Sequence, residues 1–245
     1  MKFSLTPKAI LTIIYIVGII GICSPFQFYF LLLSPLNLLI TFWFLIKGYG
    51  KIEKGLGFSI CLLVIITWII EVVGVKSGQI FGPYYYGNAL GLKILDTPPI
   101  IGMNWAMLLL SIGCILSSLK IKNRIFFSLL GATFMTVLDI LIVPVAIALN
   151  FWKWQTQNPP LQNYIAWFLV SFLLFLSFPN RVFSYKNENA KWCLWLQIGF
   201  FLTLNIAFSL FEIKIGKISQ IINNYISFNN CCLAIEVVDT SNMPL

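Results

Sequence analysis

Two acidic residues, Glu71 and Asp139, lie inside long apolar runs of this 245-residue sequence. A carboxyl group at the centre of a membrane span costs roughly 3 kcal/mol, so it marks a functional site by default. At a rise of about 1.5 Å per residue, the two acids lie roughly 24 and 21 Å along their spans. This matched depth predicts that both carboxyls line one pocket, provided that the third and fifth spans are neighbours. The alternative is a structural role, with each acid accepting hydrogen bonds from another helix.

The chemistry open to such a pair is protonation of an alkene. Burial in an apolar pocket favours the neutral carboxylic acid, which can then donate its proton. The faces of aromatic rings stabilise the resulting carbocation, and the second carboxyl can position a water or accept its proton. The chain has no histidine, which excludes Ser-His-Asp catalysis, HExxH zinc sites and histidine-ligated iron. It also has no phosphate-binding glycine fingerprint, aspartate-rich motif or CxxC pair, so neither a metal nor a cofactor is expected.

The composition predicts the scaffold that must position these acids. Hydrophobic residues make up 59% of the chain and charged residues 10%, whereas soluble domains carry about 25% charged residues. The sequence therefore predicts an all-α integral membrane protein, a polytopic bundle of about seven transmembrane helices. Two spans lie between Lys8 and Lys47, with a turn near Ser24, and the others are 55–75, 98–119, 125–149, 162–178 and 192–211. Residues 1–211 are then one transmembrane domain, and 212–245 are a polar tail that we expect to be disordered.

The basic residues are distributed as topology signals. With seven spans, one side of the membrane receives eleven Lys and Arg residues and the other side receives five. The positive-inside rule therefore places the N-terminus in the cytoplasm. Because these residues occur singly or in small groups between apolar runs, they do not form the basic patch that nucleic-acid binding requires.

Two loops on the charge-poor side, 76–97 and 150–161, are rich in Gly, Pro, Tyr and Trp. An aromatic belt at the membrane interface explains some of the rings. The glycines predict instead a tightly folded, re-entrant segment, which is tolerated only where it is buried in protein or lines a cavity.

The two loops also belong to a faint internal repeat of an acid, an aromatic loop, a Pro-Pro pair and an Asn–aromatic pair. The first copy runs from Glu71 to Asn104-Trp105, and the second runs from Asp139 to Asn163-Tyr164. Matched halves of this kind point to a binding site at their interface.

These residues carry a family resemblance. The run from Glu71 to Tyr86, followed by Leu90-Gly91, Pro98-Pro99 and Asn104-Trp105, resembles the carotenoid biosynthesis membrane proteins typified by the carotenoid 1,2-hydratases. A second similar block comprises Asp139, Pro144, Trp152, Trp154, Pro160, Asn163, Tyr164 and Trp167, so that the resemblance covers roughly 55–178. It implies a cofactor-independent hydratase that adds water to the terminal isoprene double bond of an acyclic carotenoid end, of the lycopene or gamma-carotene type. It also implies a multi-pass protein of the bacterial cytoplasmic membrane, surrounded by lipid and associated with other carotenoid enzymes.

Within this interpretation Asp139 is the proton donor, because its flanking residues are the more apolar, and Glu71 positions the water. The candidates for substrate binding are Phe81, Tyr84, Tyr86, Asn104, Trp105, Trp152, Trp154, Asn163, Tyr164 and Trp167. The candidates for shaping the loops are Gly74, Gly78, Gly82, Gly91 and Pro98. Two other functions remain open. One is a carotenoid cyclase that forms the same carbocation but excludes water, and the other is a seven-helix transporter or scaffold that uses both acids for proton coupling or packing.

Overall fold

The computed structural model describes residues 6–156, 158–183 and 186–211. Within these residues the α-helices are α1 (Pro7–Ile22), α2 (Gln27–Leu32), α3 (Ser34–Lys47), α4 (Lys54–Ser77), α5 (Ile100–Ser118), α6 (Arg124–Ala148), α7 (Leu161–Ser177) and α8 (Glu188–Phe211). Two short strands, β1 (Tyr84–Tyr86) and β2 (Trp152–Trp154), and a 3-10 turn at Asn180–Phe183 complete the described elements. The polar tail predicted for 212–245 lies outside the described residues.

The chain forms two compact units, Met1–Leu204 and Asn205–Leu245. Of the second unit, the structure describes only the last turns of α8. All of the residues that build the site described below belong to the first unit.

Each predicted span contains a helix, and α2 is an additional short helix in the turn after α1. Four helices, α4, α5, α6 and α8, are long and apolar enough to cross a membrane. Three further apolar helices are shorter, since α1, α3 and α7 have 16, 14 and 17 residues, against about 20 for a full span. The mainly helical fold, with four helices that could cross a membrane, is therefore confirmed, while the number of seven crossings stays a prediction.

Helix α5 lies at the centre of the first unit. Its sequence is apolar on every side, which is typical of a fully buried helix, and it packs against α3, α4, α6 and α7. Its contact with α4 is close enough that a Cβ atom at Gly102 would lie 2.5 Å from the carbonyl oxygen of Val64. The outer faces of α4 and α6 expose large apolar side chains such as Ile69 and Phe134, as surfaces that face lipid do.

The position of α5 corrects one premise of the sequence analysis. The prediction of one shared pocket was conditional on the third and fifth spans, α4 and α6, being neighbours. The structure instead packs α5 against both of them, and α4 and α6 make no extensive contact with each other within the described residues. The two acids therefore approach one another across α5.

The two aromatic loops pair with each other. Strands β1 and β2 are antiparallel, with Tyr84 opposite Trp154 and Tyr86 opposite Trp152. The all-α prediction did not include this two-stranded sheet. Because side chains alternate along a strand, Tyr84 and Tyr86 are buried while Tyr85 is 52% exposed. The sheet thus directs four rings, two from each loop, toward the same side.

Candidate active site

Glycines let the first loop fold back onto α4. Gly78 ends this helix with φ of 64°, a left-handed conformation that glycine adopts at little cost. A Cβ atom at Gly74 would lie 2.7 Å from the ring of Phe81 and 3.3 Å from the hydroxyl oxygen of Tyr84. Only the absence of a side chain at Gly74 allows both groups to lie against α4.

The remaining loop-shaping candidates also lie at bends. Gly82 and Gly91 both have φ of 81°. Pro98 is buried, and its carbonyl oxygen accepts the backbone hydrogen bond of Ile101 at the start of α5. The chain therefore turns at Gly78, Gly82, Gly91 and Pro98, whereas Gly74 lies within α4.

Glu71 is buried, with 3% of its surface exposed, and accepts three side-chain hydrogen bonds. The hydroxyl groups of Tyr84 and Tyr86 both donate to Oε2, the latter over 2.6 Å. The indole Nε1 of Trp105 donates to Oε1 over 2.7 Å. The two tyrosines reach the same oxygen because they are the first and third residues of β1 and share one face of the strand.

Both tyrosines remain protonated donors. Burial, and then the charge of the adjacent Glu71, hold the pKa of Tyr84 and the pKa of Tyr86 well above the usual value of 10.0. Phenol groups that resist ionisation keep their hydrogen atoms directed at the carboxyl group. The hydrogen-bonded shell of Glu71 therefore persists across the whole neutral range.

Asp139 is equally buried, with 1% of its surface exposed, but its shell is smaller. Its Oδ2 accepts a hydrogen bond of 2.6 Å from the side-chain Nδ2 of Asn163, which lies in the first turn of α7. This is its one side-chain hydrogen bond recorded among the described residues. The two acids therefore have the same burial and different numbers of donors.

The carboxyl groups of Glu71 and Asp139 line one cavity of about 20 Å³, which is enough for one water molecule. An isoprene unit is larger, so the lining side chains must move to admit one. Nine of the ten predicted substrate-binding residues lie in its wall, namely Phe81, Tyr84, Tyr86, Asn104, Trp105, Trp152, Trp154, Asn163 and Trp167. The tenth, Tyr164, is half-buried and does not line the cavity.

The aromatic wall of this cavity is ordered by ring contacts. Trp105 and Trp167 stack with their centroids 3.9 Å apart and an interplanar angle of 23°, which fixes the indole N–H of Trp105 at Glu71. Tyr84 packs edge to face against Phe81 and Tyr86. Trp154 donates its Nε1 hydrogen over 2.9 Å to the carbonyl oxygen of Phe81, which joins the two loops.

Two apolar residues of the cavity were missed by the sequence analysis. Ile142 and Ile101 both lie in the wall. Ile142 follows Asp139 by three positions and Ile101 precedes Asn104 by three, a spacing that places residues on the same face of a helix. That spacing was the available signal, but apolar residues occur on every face of these helices.

Comparison with known proteins identifies the family. The family model for carotenoid biosynthesis proteins matches residues 26–227, which include every residue of the cavity. Bisanhydrobacterioruberin hydratase of Haloarcula japonica is 30% identical over 144 residues, covering 52% of this chain and 47% of that protein. The chain thus spans about half the length of this relative, and no solved structure shows significant similarity to the chain. Because the family model covers most of the sequence, the chain belongs to the carotenoid biosynthesis protein family.

Proposed function

We propose that this protein is a hydratase that adds water to the terminal isoprene double bond of an acyclic carotenoid end. The observation that carries the proposal is the single cavity in which two buried carboxyl groups, with different hydrogen-bond shells, lie between aromatic walls. The 30% identity to a protein named as a hydratase adds support.

Asp139 supplies the proton in this mechanism. Among the described residues its carboxyl group receives one amide hydrogen bond, and Ile142 lines the same cavity. Transfer of its proton to the less substituted carbon of the double bond leaves a tertiary carbocation and the Asp139 carboxylate. The indole rings of Trp105, Trp152 and Trp167 line the same cavity. Their faces stabilise such a cation by about 2 kcal/mol when it is desolvated.

Glu71 directs the water in this mechanism. Three donors stabilise the carboxylate form of a buried acid, and here they also fix its orientation. Glu71 accepts a hydrogen bond from the water whose oxygen attacks the cation, and it takes the proton released as the carbon–oxygen bond forms. Return of that proton to Asp139 regenerates both carboxyl groups. Water and carotenoid combine without a leaving group and without net oxidation or reduction.

A carotenoid cyclase is the second candidate, since it would begin with the same protonation. The cation would then be attacked by a second double bond and lose a proton. A cavity that accommodates one water beside both acids favours capture by water.

Expression in a host that accumulates lycopene, followed by assay of the purified protein, tests the proposal. We expect a pigment heavier by one water, formed by the wild type and absent with Asp139→Asn at the same expression level. A pigment of unchanged mass and altered retention identifies a cyclase. A pigment unchanged in both properties contradicts both enzymes and favours the transporter or scaffold.

We also propose that the protein lies in a bacterial cytoplasmic membrane with its N-terminus in the cytoplasm, as the distribution of basic residues predicts. Single cysteines introduced at Lys120 and Lys153, in a background without native cysteines, test this orientation. An impermeant thiol reagent added to intact cells should label position 153 and not position 120. The reverse pattern contradicts the orientation.

A further inference from the structure

A second cavity adjoins the carboxyl cavity and shares part of its wall. It measures about 70 Å³, and Ile101, Asn104, Ile142 and Trp152 line both cavities. Its opposite wall comes from α1, α3 and α8, through side chains that include Tyr15, Asn37, Gln197 and Phe200. Asn104 therefore carries a polar side chain at the boundary between the two spaces.

This second cavity contains buried polar atoms without a hydrogen-bond partner among the described residues. They are Nε2 and Oε1 of Gln197, which is 4% exposed, and Oδ1 of Asn37. A buried polar group left without a partner costs about 1–3 kcal/mol. Leaving both polar atoms of the Gln197 side chain without partners inside a lipid-embedded bundle would therefore cost free energy unless something occupies the cavity.

The chemistry of these atoms selects the occupant. A buried water makes two to four hydrogen bonds, and it can accept from Nε2 of Gln197 while it donates to Oε1 of Gln197 or to Oδ1 of Asn37. One water needs a cavity of about 15 Å³, so this space holds several. A hydrocarbon chain would leave all three atoms without partners.

We propose that the second cavity is a water site, held by Gln197 and Asn37, that supplies water to the carboxyl cavity past Asn104. The inference rests on the proposed hydration, which consumes one water per turnover in a region surrounded by lipid. A carbocation that meets no water loses a proton and returns to the alkene. Gln197 is thus a positioning residue that determines how often the cation is captured.

Assay in D₂O separates these two fates of the cation. Capture gives a hydrated carotenoid, whereas deuteron addition followed by loss of a proton gives an unhydrated carotenoid that carries deuterium. We expect Gln197→Met, which keeps the side-chain length, to lower hydration at least fivefold while deuterium exchange stays the same or rises, because cations that water does not capture return to the alkene. Asn37→Leu should act in the same direction with a smaller effect. Gln27→Met, at a glutamine of α2 that lines neither cavity, is the matched control and should leave both products unchanged.

A parallel fall of hydration and exchange in Gln197→Met overturns the proposal, because a merely structural role lowers both. Unchanged hydration overturns it as well. Radiolytic footprinting, which labels side chains next to bound water, reads the site without turnover. We expect Tyr15 and Phe200 to be labelled in the wild type and at least threefold less in Gln197→Met, and equal labelling contradicts the water site. If the wild type forms neither hydrated nor deuterated carotenoid, the proposed hydratase function is contradicted. The footprinting result alone then tests the water site.

Discussion

The two segments α4–β1–α5 and α6–β2–α7 each place an acid in the wall of one cavity and surround it differently. In the first segment, strand β1 contributes the two phenol groups that donate to Glu71. In the second segment, the strand positions opposite these tyrosines hold Trp152 and Trp154. The indole N–H of Trp154 donates to the first loop and not to Asp139. Because β1 carries tyrosines where β2 carries tryptophans, the two equally buried acids accept different numbers of hydrogen bonds. This difference allows the two acids to have different catalytic roles.

Replacing each carboxyl group with an amide is expected to have the largest effect. Asp139→Asn should lower turnover by about 10²–10⁴-fold, the usual contribution of a general acid, with little change in stability, because the new amide oxygen still accepts from Asn163. Glu71→Gln should lower turnover and also stability, by about 1–3 kcal/mol, because its new N–H₂ group faces either the indole N–H of Trp105 or the two phenol donors of Tyr84 and Tyr86. Turnover per folded protein and thermal unfolding in detergent measure the two effects.

The control for both variants is Glu53→Gln, at an exposed acid that precedes α4. It should change neither property. Equal losses of stability in Glu71→Gln and Asp139→Asn would show that the different numbers of hydrogen-bond donors to the two acids do not affect the free energy of unfolding.

Removing a single hydrogen-bond donor should lower turnover by an intermediate amount, which depends on whether Asp139 or Glu71 loses the donor. Asn163→Leu removes the one recorded side-chain donor of Asp139, and we expect turnover to fall about tenfold. Tyr86→Phe leaves Glu71 with two donors, so we expect a fall of about threefold, near the low end of a hydrogen bond's net contribution. Steady-state kinetics measures both, and Tyr85→Phe, on the exposed face of β1, is the matched control. A larger loss in Tyr86→Phe than in Asn163→Leu would reverse the assignment of roles.

The smallest effect is expected at the ion pair between Lys76 and Asp96, which ties the end of α4 to the first loop. The hydrogen bond from Lys76 lowers the pKa of Asp96 below its usual 3.8. The stabilisation is therefore present above that usual value and is lost as the pH falls through the lowered pKa. Because both side chains are exposed, Asp96→Asn should leave turnover and the unfolding temperature at neutral pH unchanged. A fall in turnover as large as that in Tyr86→Phe would show that loop position, and not donor number, distinguishes the two segments.

The sequence predicted the helices and most of the cavity wall because both depend on local signals. Apolar runs of sufficient length mark α4, α5, α6 and α8, and acids within such runs are rare enough to notice. The pairing of β1 with β2 had no such signal, since three-residue strands show too little alternation to be recognised.

The direction of side chains around a helix was the other feature that the sequence did not predict. Asn163 and Tyr164 are adjacent in α7, but successive residues point about 100° apart around a helix, so only Asn163 faces the cavity. The position of α5 between α4 and α6 depends on tertiary packing, which the sequence of a single span does not reveal.

The link between the two loops has a consequence for how the protein matures. The hydrogen bond from Trp154 to Phe81 joins residues 73 positions apart, and β1 meets β2 only after α5 and α6 have been synthesised. Contacts between distant segments form late, because the entropy of closing the chain must be overcome first. Until then Asp139 lacks Asn163, which lies still further along the chain. The cavity is therefore completed only once α7 has been inserted, so that a chain ending before α7 contains the donors of Glu71 but not the donor of Asp139.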